Sequence, residues 1–361
     1  MAAHHTSTAM HGLLSVSLLV FSHFAKLGRG LTKLARLVGS LVPNAVVLGC
    51  HAWTSYRLRR RLHLIGLVEH VGDIVACEPV IRALRRTESM NLLWIVRTDY
   101  VDLVRFHPDL HAWLGVTCLT EWALLRRLFW FLTRTDLHID RRRCHWFGIS
   151  IRNYNSSSVT LDNYYRHGNL LTVLARSAGL EMSDESPVMH FGDTNTVDRE
   201  LAALGRPFAV FHCRSNEQSR DWSSSGFQRI AGYLVDETPL IVVEIGLAPV
   251  LQPGHSRIHD FCGRFRLDQY GYLISRSRLF VGVDSGFAHM ANAVNTFGVI
   301  LIGQYRGFRD YMPYSGRYGS GEGCLILRQA GPLLDLDAGK VITALRGVLP
   351  AILAGDSAQE H

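Results

Sequence analysis

From residue 62 onward the sequence alternates short apolar, β-branched runs with stretches whose apolar residues recur every three or four positions. RLHLIGLV reads as a strand, VACEPVIRALRR as a helix whose regular part starts near Pro79, and NLLWIVRT as the next strand, followed by a helical YVDLVRF. The rhythm restarts after residue 190: FAVFHC, PLIVVEIG, LFVGVD and FGVILIG read as strands, separated by the helices SGFQRIAGYLVDE, LDQYGYLISRS and GFAHMANAV. Strands alternating with helices imply parallel sheets covered by helices, so the expected fold class is α/β in two halves of similar size.

Between the halves, roughly 121 to 190, the pattern is less regular; LLTVLARSAGL closes the first half as a helix, and SDESPVMHFGDTNT has the polar, proline-containing composition of a connection. The expected division is a basic extension at 1–61, a first α/β domain at 62–190, a second at 191–340 and a C-terminal helix and tail at 341–361.

Charge separates the extension from the rest. Before Glu69 there is no acidic residue, while Lys26, Arg29, Lys33, Arg36, Arg57, Arg59, Arg60 and Arg61 all lie there. These 8 cations account for the whole formal charge of +7, because the remaining 30 basic and 31 acidic residues sum to −1. A neutral body gives no reason to expect nucleic acid as a partner. The apolar run Leu13 to Phe21 is too short to cross a bilayer, and no Lys or Arg precedes it as a signal peptide would require. In the following FAKLGRGLTKLARLVGSLV, Leu27, Leu31, Leu34 and Val38 share one face with cations between them, which suits either an anionic membrane surface or packing on the body. Gly28 and Gly30 weaken that helix. Seven scattered cysteines without a CxxC pair fit reduced thiols in the cytoplasm, and His259 with Cys262 supplies too few ligands for a zinc site.

Three loops that follow strands carry chemistry. In LFVGVDSGFAHMANA the strand ends at Asp284 and a helix opens near Gly286, so unpaired amides and the positive end of the helix dipole face the sheet's carboxyl end. Ser285 adds a hydroxyl, Gly286 leaves the backbone approachable, and His289 lies one turn on; a phosphate would sit well there, and equally Asp284 or Ser285 could simply cap the helix. In EHVGD, Gly72 permits a tight backbone and Asp73 could take a proton from a hydroxyl nucleophile, although by position alone a helix cap is favoured. In HCRSNEQSRDWSSSGFQRI, Arg214 and Arg220 bracket hydroxyls ahead of Trp222, and a guanidinium is a good diphosphate partner. G-x-S-x-G and GxxxxGK[ST] are both absent.

Together the loops resemble glycosyltransferase family 9, the heptosyltransferases of lipopolysaccharide core assembly. HVGDIVACEPVIRALRR is similar to the family's N-terminal signature, SRDW to its donor-loop K-x-W, and LFVGVDSGFAHMANAV to its DSG-x-x-H block, in the same order over about residues 62 to 350. The resemblance implies a GT-B fold, two Rossmann-like domains facing across a cleft, with the acceptor mainly on the first and the nucleotide-sugar on the second. It further implies Asp73 as the general base of an inverting displacement, and Arg220 in place of the usual lysine. Ser215, Ser285 and Gly286 would hold the diphosphate, with His289 close by and Asp284 organising the turn; no metal and no cofactor is implied. The sequence departs from the family at EIGLAPVLQ, where Gly246 lacks the acidic residue that usually follows to bind the ribose; Glu244 stands just before it. Tyr305, Arg306 and Arg309 line the donor pocket or cover the sheet end, and the basic triplet Arg141, Arg142 and Arg143 either meets an anionic acceptor or is a solvated face.

The expected activity is therefore transfer of a sugar from a nucleotide-diphosphate donor to a hydroxyl of a bacterial surface glycan or its lipid-linked precursor. A nucleotide-sugar epimerase of the same fold and a non-catalytic membrane-associated binding protein are the alternatives.

Overall fold

A computed structural model of the protein describes residues 5–87, 90–156, 158–252, 254–304 and 311–354, with the side chains from residue 30 onward except at 87 and 156. The chain opens with one long helix, α1 (His5–Arg57). The first half continues as β1 (Arg61–Gly66), α2 (Val71–Ala76), α3 (Glu78–Thr87), β2 (Met90–Arg97), β3 (Ala112–Val116), α4 (Leu119–Leu128), β4 (Thr133–Asp136) and α5 (Leu170–Ser177). The second runs α6 (Asn195–Leu204), β5 (Phe208–His212), α7 (Ser224–Glu237), β6 (Ile241–Glu244), β7 (Ile258–Asp260), α8 (Leu267–Ser275), β8 (Leu279–Val283), α9 (Gly286–Ala293), β9 (Gly298–Ile302), α10 (Gly316–Gly319), β10 (Cys324–Arg328) and α11 (Ala338–Ala354).

Two parallel sheets result, of order β3-β2-β1-β4 and β10-β9-β8-β5-β6-β7. The strands expected from apolar runs are the inner ones, buried on both faces by covering helices: β5, β6, β8 and β9 have every residue buried. The sequence pattern did not reveal β3, β4, β7 and β10, the edge strands. β4 reads TRTD and β7 only IHD, because an edge strand covered on one side needs little apolar sequence. YVDLVRF, expected as helix, forms a 3-10 turn over Thr98–Leu103.

Order in each sheet reverses beside one strand. β1 sends the chain to β2 on one side and receives β4 on the other, and β5 likewise lies between β6 and β8. At such reversals the loops diverge and leave a crevice at the carboxyl ends of the strands.

The extension departs from expectation. Helix continues through Gly28, Gly30 and even Pro43, which has no N–H for the ladder. Tertiary contacts outweigh these costs: Leu37 and Leu48 enter the core cluster of Leu64, Trp122 and Leu125. The apolar run at 13–21 lies before the described side chains, whereas Gly30–Arg57 is long and apolar enough to cross a membrane by length and composition. Tyr305, Arg306 and Arg309 fall outside the described residues.

Candidate active site

The loops after β1, β5 and β8 open into one cavity of about 1050 Å³ between the two sheets. All ten residues singled out above line it: Gly72, Asp73, Arg214, Ser215, Arg220, Gly246, Asp284, Ser285, Gly286 and His289.

Asp73 sits in the first turn of α2, half-buried, and its Oδ2 accepts the His70 N–H at 3.3 Å. It is thus a cap that also faces the cavity. The N-terminal turn of α2 packs directly on that of α9, where the two glycines make the contact possible. A Cβ on Gly286 would lie 2.7 Å from Val71 Cβ, and one on Gly72 would lie 2.9 Å from His289 Cδ2. The missing side chain of Gly286 is therefore used by protein as well as exposed to the cavity.

On the second half, Ser285 occupies the N-cap position of α9 with extended backbone, yet its hydroxyl makes no cap hydrogen bond. It pairs instead with His212 Nδ1 at 3.0 Å, so simple capping does not account for this serine. Asp284 accepts a hydrogen bond from the Tyr314 hydroxyl at 2.8 Å and pairs with Arg220 Nη1 at 3.4 Å. Arg220 Nη2 also donates to Asn216 Oδ1. Two residues on, Trp222 turns inward, buried against Phe227 with its indole N–H on Leu336 O at 2.9 Å, and so anchors the loop that carries the guanidinium. Arg214 is exposed at the cavity wall.

One expectation changes in detail, and the structure shows what Glu244 does. The hydroxyl of Ser215 is engaged within its own loop, 2.7 Å from Glu217 O and 3.0 Å from Asp221 Oδ1, rather than directed at a ligand. Glu244, the nearest acidic residue to Gly246, is buried and accepts the N–H groups of Val250 and Leu251 at 2.7 and 2.9 Å. It shapes the loop that follows instead of presenting a carboxylate to a ribose. Gly246 itself has φ +146, open to glycine and hardly to other residues, and its carbonyl accepts the Gly263 N–H.

Sequence reasoning missed His212, Tyr314 and the pair Glu69–Arg142. Burial pushes the His212 imidazole down to about 3, so it is neutral at ordinary pH. Burial also lowers His289, against the opposing pull of Asp284 and Asp73, and its ring lies 4.6 Å from that of Tyr314. On the first half, Glu69 is pushed up to about 7 because burial outweighs Arg142, whose Nη2 lies 2.5 Å from its Oε2; Asp73 adds to the rise. Of the basic triplet, only Arg142 lines the cavity. Arg141 is exposed beside Asp140, and Arg143 donates to Gly148 O. A polar residue closing a buried strand, as His212 does, is the one signal that could have found these groups.

Away from the cavity, Glu78, His107 and His190 bring ligand atoms within 4.8 Å of one another. They do not suit a cation. Glu78 already accepts from Arg82 at 2.8 Å, from His107 Nε2 at 3.1 Å and from the Val188 N–H, while His107 Nδ1 accepts the Asp109 N–H.

Residues 168–307 match the model of glycosyltransferase family 9 (heptosyltransferase). No curated protein matches the chain. Among solved structures, a glycosyl transferase family 9 protein from Veillonella parvula is similar with TM-score 0.63 and 14% identity, over 81% of this chain and 97% of the other. The ADP-heptose lipopolysaccharide heptosyltransferase II of E. coli gives 0.62 and 18%, over 82% and 100%. The iron-containing dodecameric glycosyltransferase TibC of enterotoxigenic E. coli gives 0.54 and 12%, over 82% and 77%. Residues 168–307, which hold two of the three loops, are thus similar to glycosyltransferase family 9, and the chain as a whole shares the GT-B fold of these structures, in agreement with the resemblance read from the loops.

Proposed function

We propose that the protein is an inverting glycosyltransferase, moving a sugar from a nucleotide-diphosphate donor to a hydroxyl of a bacterial surface glycan or its lipid-linked precursor. The observation that carries this reading is that Asp73 and the Arg220–Asp284–Ser285 group, from opposite sheets, line one cavity and are joined by direct contact of α2 with α9. Heptose is the family's default sugar, and ADP-heptose, for which the E. coli enzyme is named, is the first donor to try.

In the proposed step the acceptor hydroxyl gives its proton to the Asp73 carboxylate while its oxygen bonds to the anomeric carbon from the face opposite the diphosphate. The bond from that carbon to the diphosphate oxygen breaks, and the electron pair leaves on the nucleoside diphosphate. Arg220 and the amide end of α9 stabilise the leaving charge; Ser285, Gly286 and His289 border it. His212 and His289, neutral through burial, add no charge to the diphosphate seat. Because a guanidinium and a helix end supply the positive potential, we assign the transfer no metal, and it should survive chelation. The reaction is assigned to the cytoplasm, where the thiols stay reduced.

Thermal stabilisation by a panel of nucleotide-sugars identifies the donor, since a ligand of the folded state raises Tm. Asp73→Asn should then lower transfer about 10²- to 10⁴-fold, the usual span for a general base, while donor stabilisation persists. Normal turnover by this variant would remove Asp73 as the base. Release of an altered free nucleotide-sugar without any acceptor would instead favour an epimerase.

A further inference from the structure

Glu121 shows how α1 is held. This carboxylate is fully buried; Oε2 accepts the Thr117 N–H and hydroxyl at 2.7 and 2.8 Å, while Oε1 accepts Ser40 Oγ at 2.8 Å and Asn44 Nδ2 at 2.6 Å. Asn44 also donates to Gly115 O, and Ser55 accepts from Asn91. Removing α1 would strip one oxygen of a buried carboxylate of the side-chain donors that α1 provides, a costly change, so α1 belongs to the first half.

The outward face of the same helix is apolar. Leu31, Leu34, Val38, Val42 and Val46 recur every three or four residues and are each between 49% and 62% exposed. At 1.5 Å per residue the stripe runs about 22 Å along the helix. Near its C-terminal end Trp53 and Tyr56 stack in the open with centroids 6.0 Å apart, followed by exposed Arg57, Arg59, Arg60 and Arg61. The neighbouring turn from α4 to β4 exposes Leu128, Trp130 and Phe131, flanked by exposed Arg127 and Arg134. Large exposed apolar patches signify interaction surfaces, and aromatic anchors beside arginines, in a segment with no acid before Glu69, match an anionic lipid surface.

We propose that the outward face of α1 and the α4–β4 turn dock the protein on an anionic phospholipid bilayer, with α1 lying along the surface. Gly30–Arg57 has the length and composition to cross instead, but crossing would pull Ser40 and Asn44 from Glu121, and Leu37 and Leu48 from the core. The docking is independent of the sugar and acceptor proposed above; transfer to a water-soluble acceptor tests that reading separately.

The test is flotation of the full chain with phosphatidylcholine vesicles, with and without phosphatidylglycerol. Binding should require phosphatidylglycerol, weaken with salt, and be released by alkaline carbonate. Val42→Glu with Val46→Glu should cut partitioning at least about tenfold, and Trp130→Ser with Phe131→Ser about threefold, since each removes apolar area from the lipid contact. Melting temperature should be unchanged in both, because these positions are exposed. Equal binding to neutral vesicles, binding indifferent to these substitutions, or resistance to carbonate would overturn the proposal, the last in favour of a span. Lipid-free self-association abolished by the same substitutions would assign the face to a second copy of the chain.

Discussion

The two walls of the cavity are built differently. On the second half, the wall around β5 and β8 consists of strand ends, a helix end and the Arg220–Asp284 pair, braced by buried neutral groups: His212 on Ser285, Tyr314 on Asp284, His289 on Tyr314. On the first half it consists of ionisable groups set close together: Asp73, Glu69 with Arg142, and Arg97 with Asp99 at 2.5 Å. A rigid seat of fixed dipoles suits a ligand part that does not vary, such as a diphosphate. A wall of charged side chains suits a partner recognised by its own polar groups, and makes that half the more sensitive to pH.

Substitutions should separate the walls. Arg220→Ala should weaken donor binding by about 10- to 100-fold, the scale of one charge-assisted contact, with Asp73-dependent chemistry retained in the bound complex; calorimetric titration checks it. If the loss fell instead on kcat alone, the proposed contrast between a donor wall and an acceptor wall would break. Gly286→Ala tests the seam between them. Its new methyl would stand 2.7 Å from Val71 Cβ, so α2 and α9 must part, and transfer should fall about tenfold with a smaller change in donor affinity, given how steeply rates depend on placement.

Glu69 and His212 shift in opposite senses. Glu69 is raised from 4.5 to about 7, so its contribution to stability is fully present below 4.5 and lost as pH rises through about 7. Glu69→Gln should therefore flatten the Tm profile between those values. His212 is lowered from 6.5 to about 3, so folding gains stability above 6.5 and loses it as pH falls toward 3. His212→Asn should reduce that acid loss, by about 1–2 °C in Tm for each kcal/mol removed, because the unfolding entropy that divides the change grows with chain length. Identical pH profiles for both variants would mean the walls do not differ as described.

Much of this arrangement was legible beforehand. Strands such as FAVFHC and LFVGVD are buried on both faces, so their composition had to be apolar, and the loops after them had to open at the sheet ends. TRTD and IHD were illegible, because an edge needs so little apolar sequence. The role of Glu244 was equally hidden, since its partners Val250 and Leu251 bind through backbone N–H groups, which every sequence offers. Continuous helix across Pro43 ran against local propensity and rests on Ser40 and Asn44 reaching Glu121, 81 and 77 residues away.

By itself the sequence determined the α/β alternation, the cationic extension and the three strand-end loops, because periodicity, charge and turn chemistry act over a few residues. Tertiary structure alone decided that Ser285 answers to His212, that Gly286 yields to Val71, and that α1 turns one face to Glu121 and another outward. Those outcomes depend on which atoms meet across 70 or more residues of chain, and a buried group's charge and hydrogen bonds are set by such neighbours rather than by its own type.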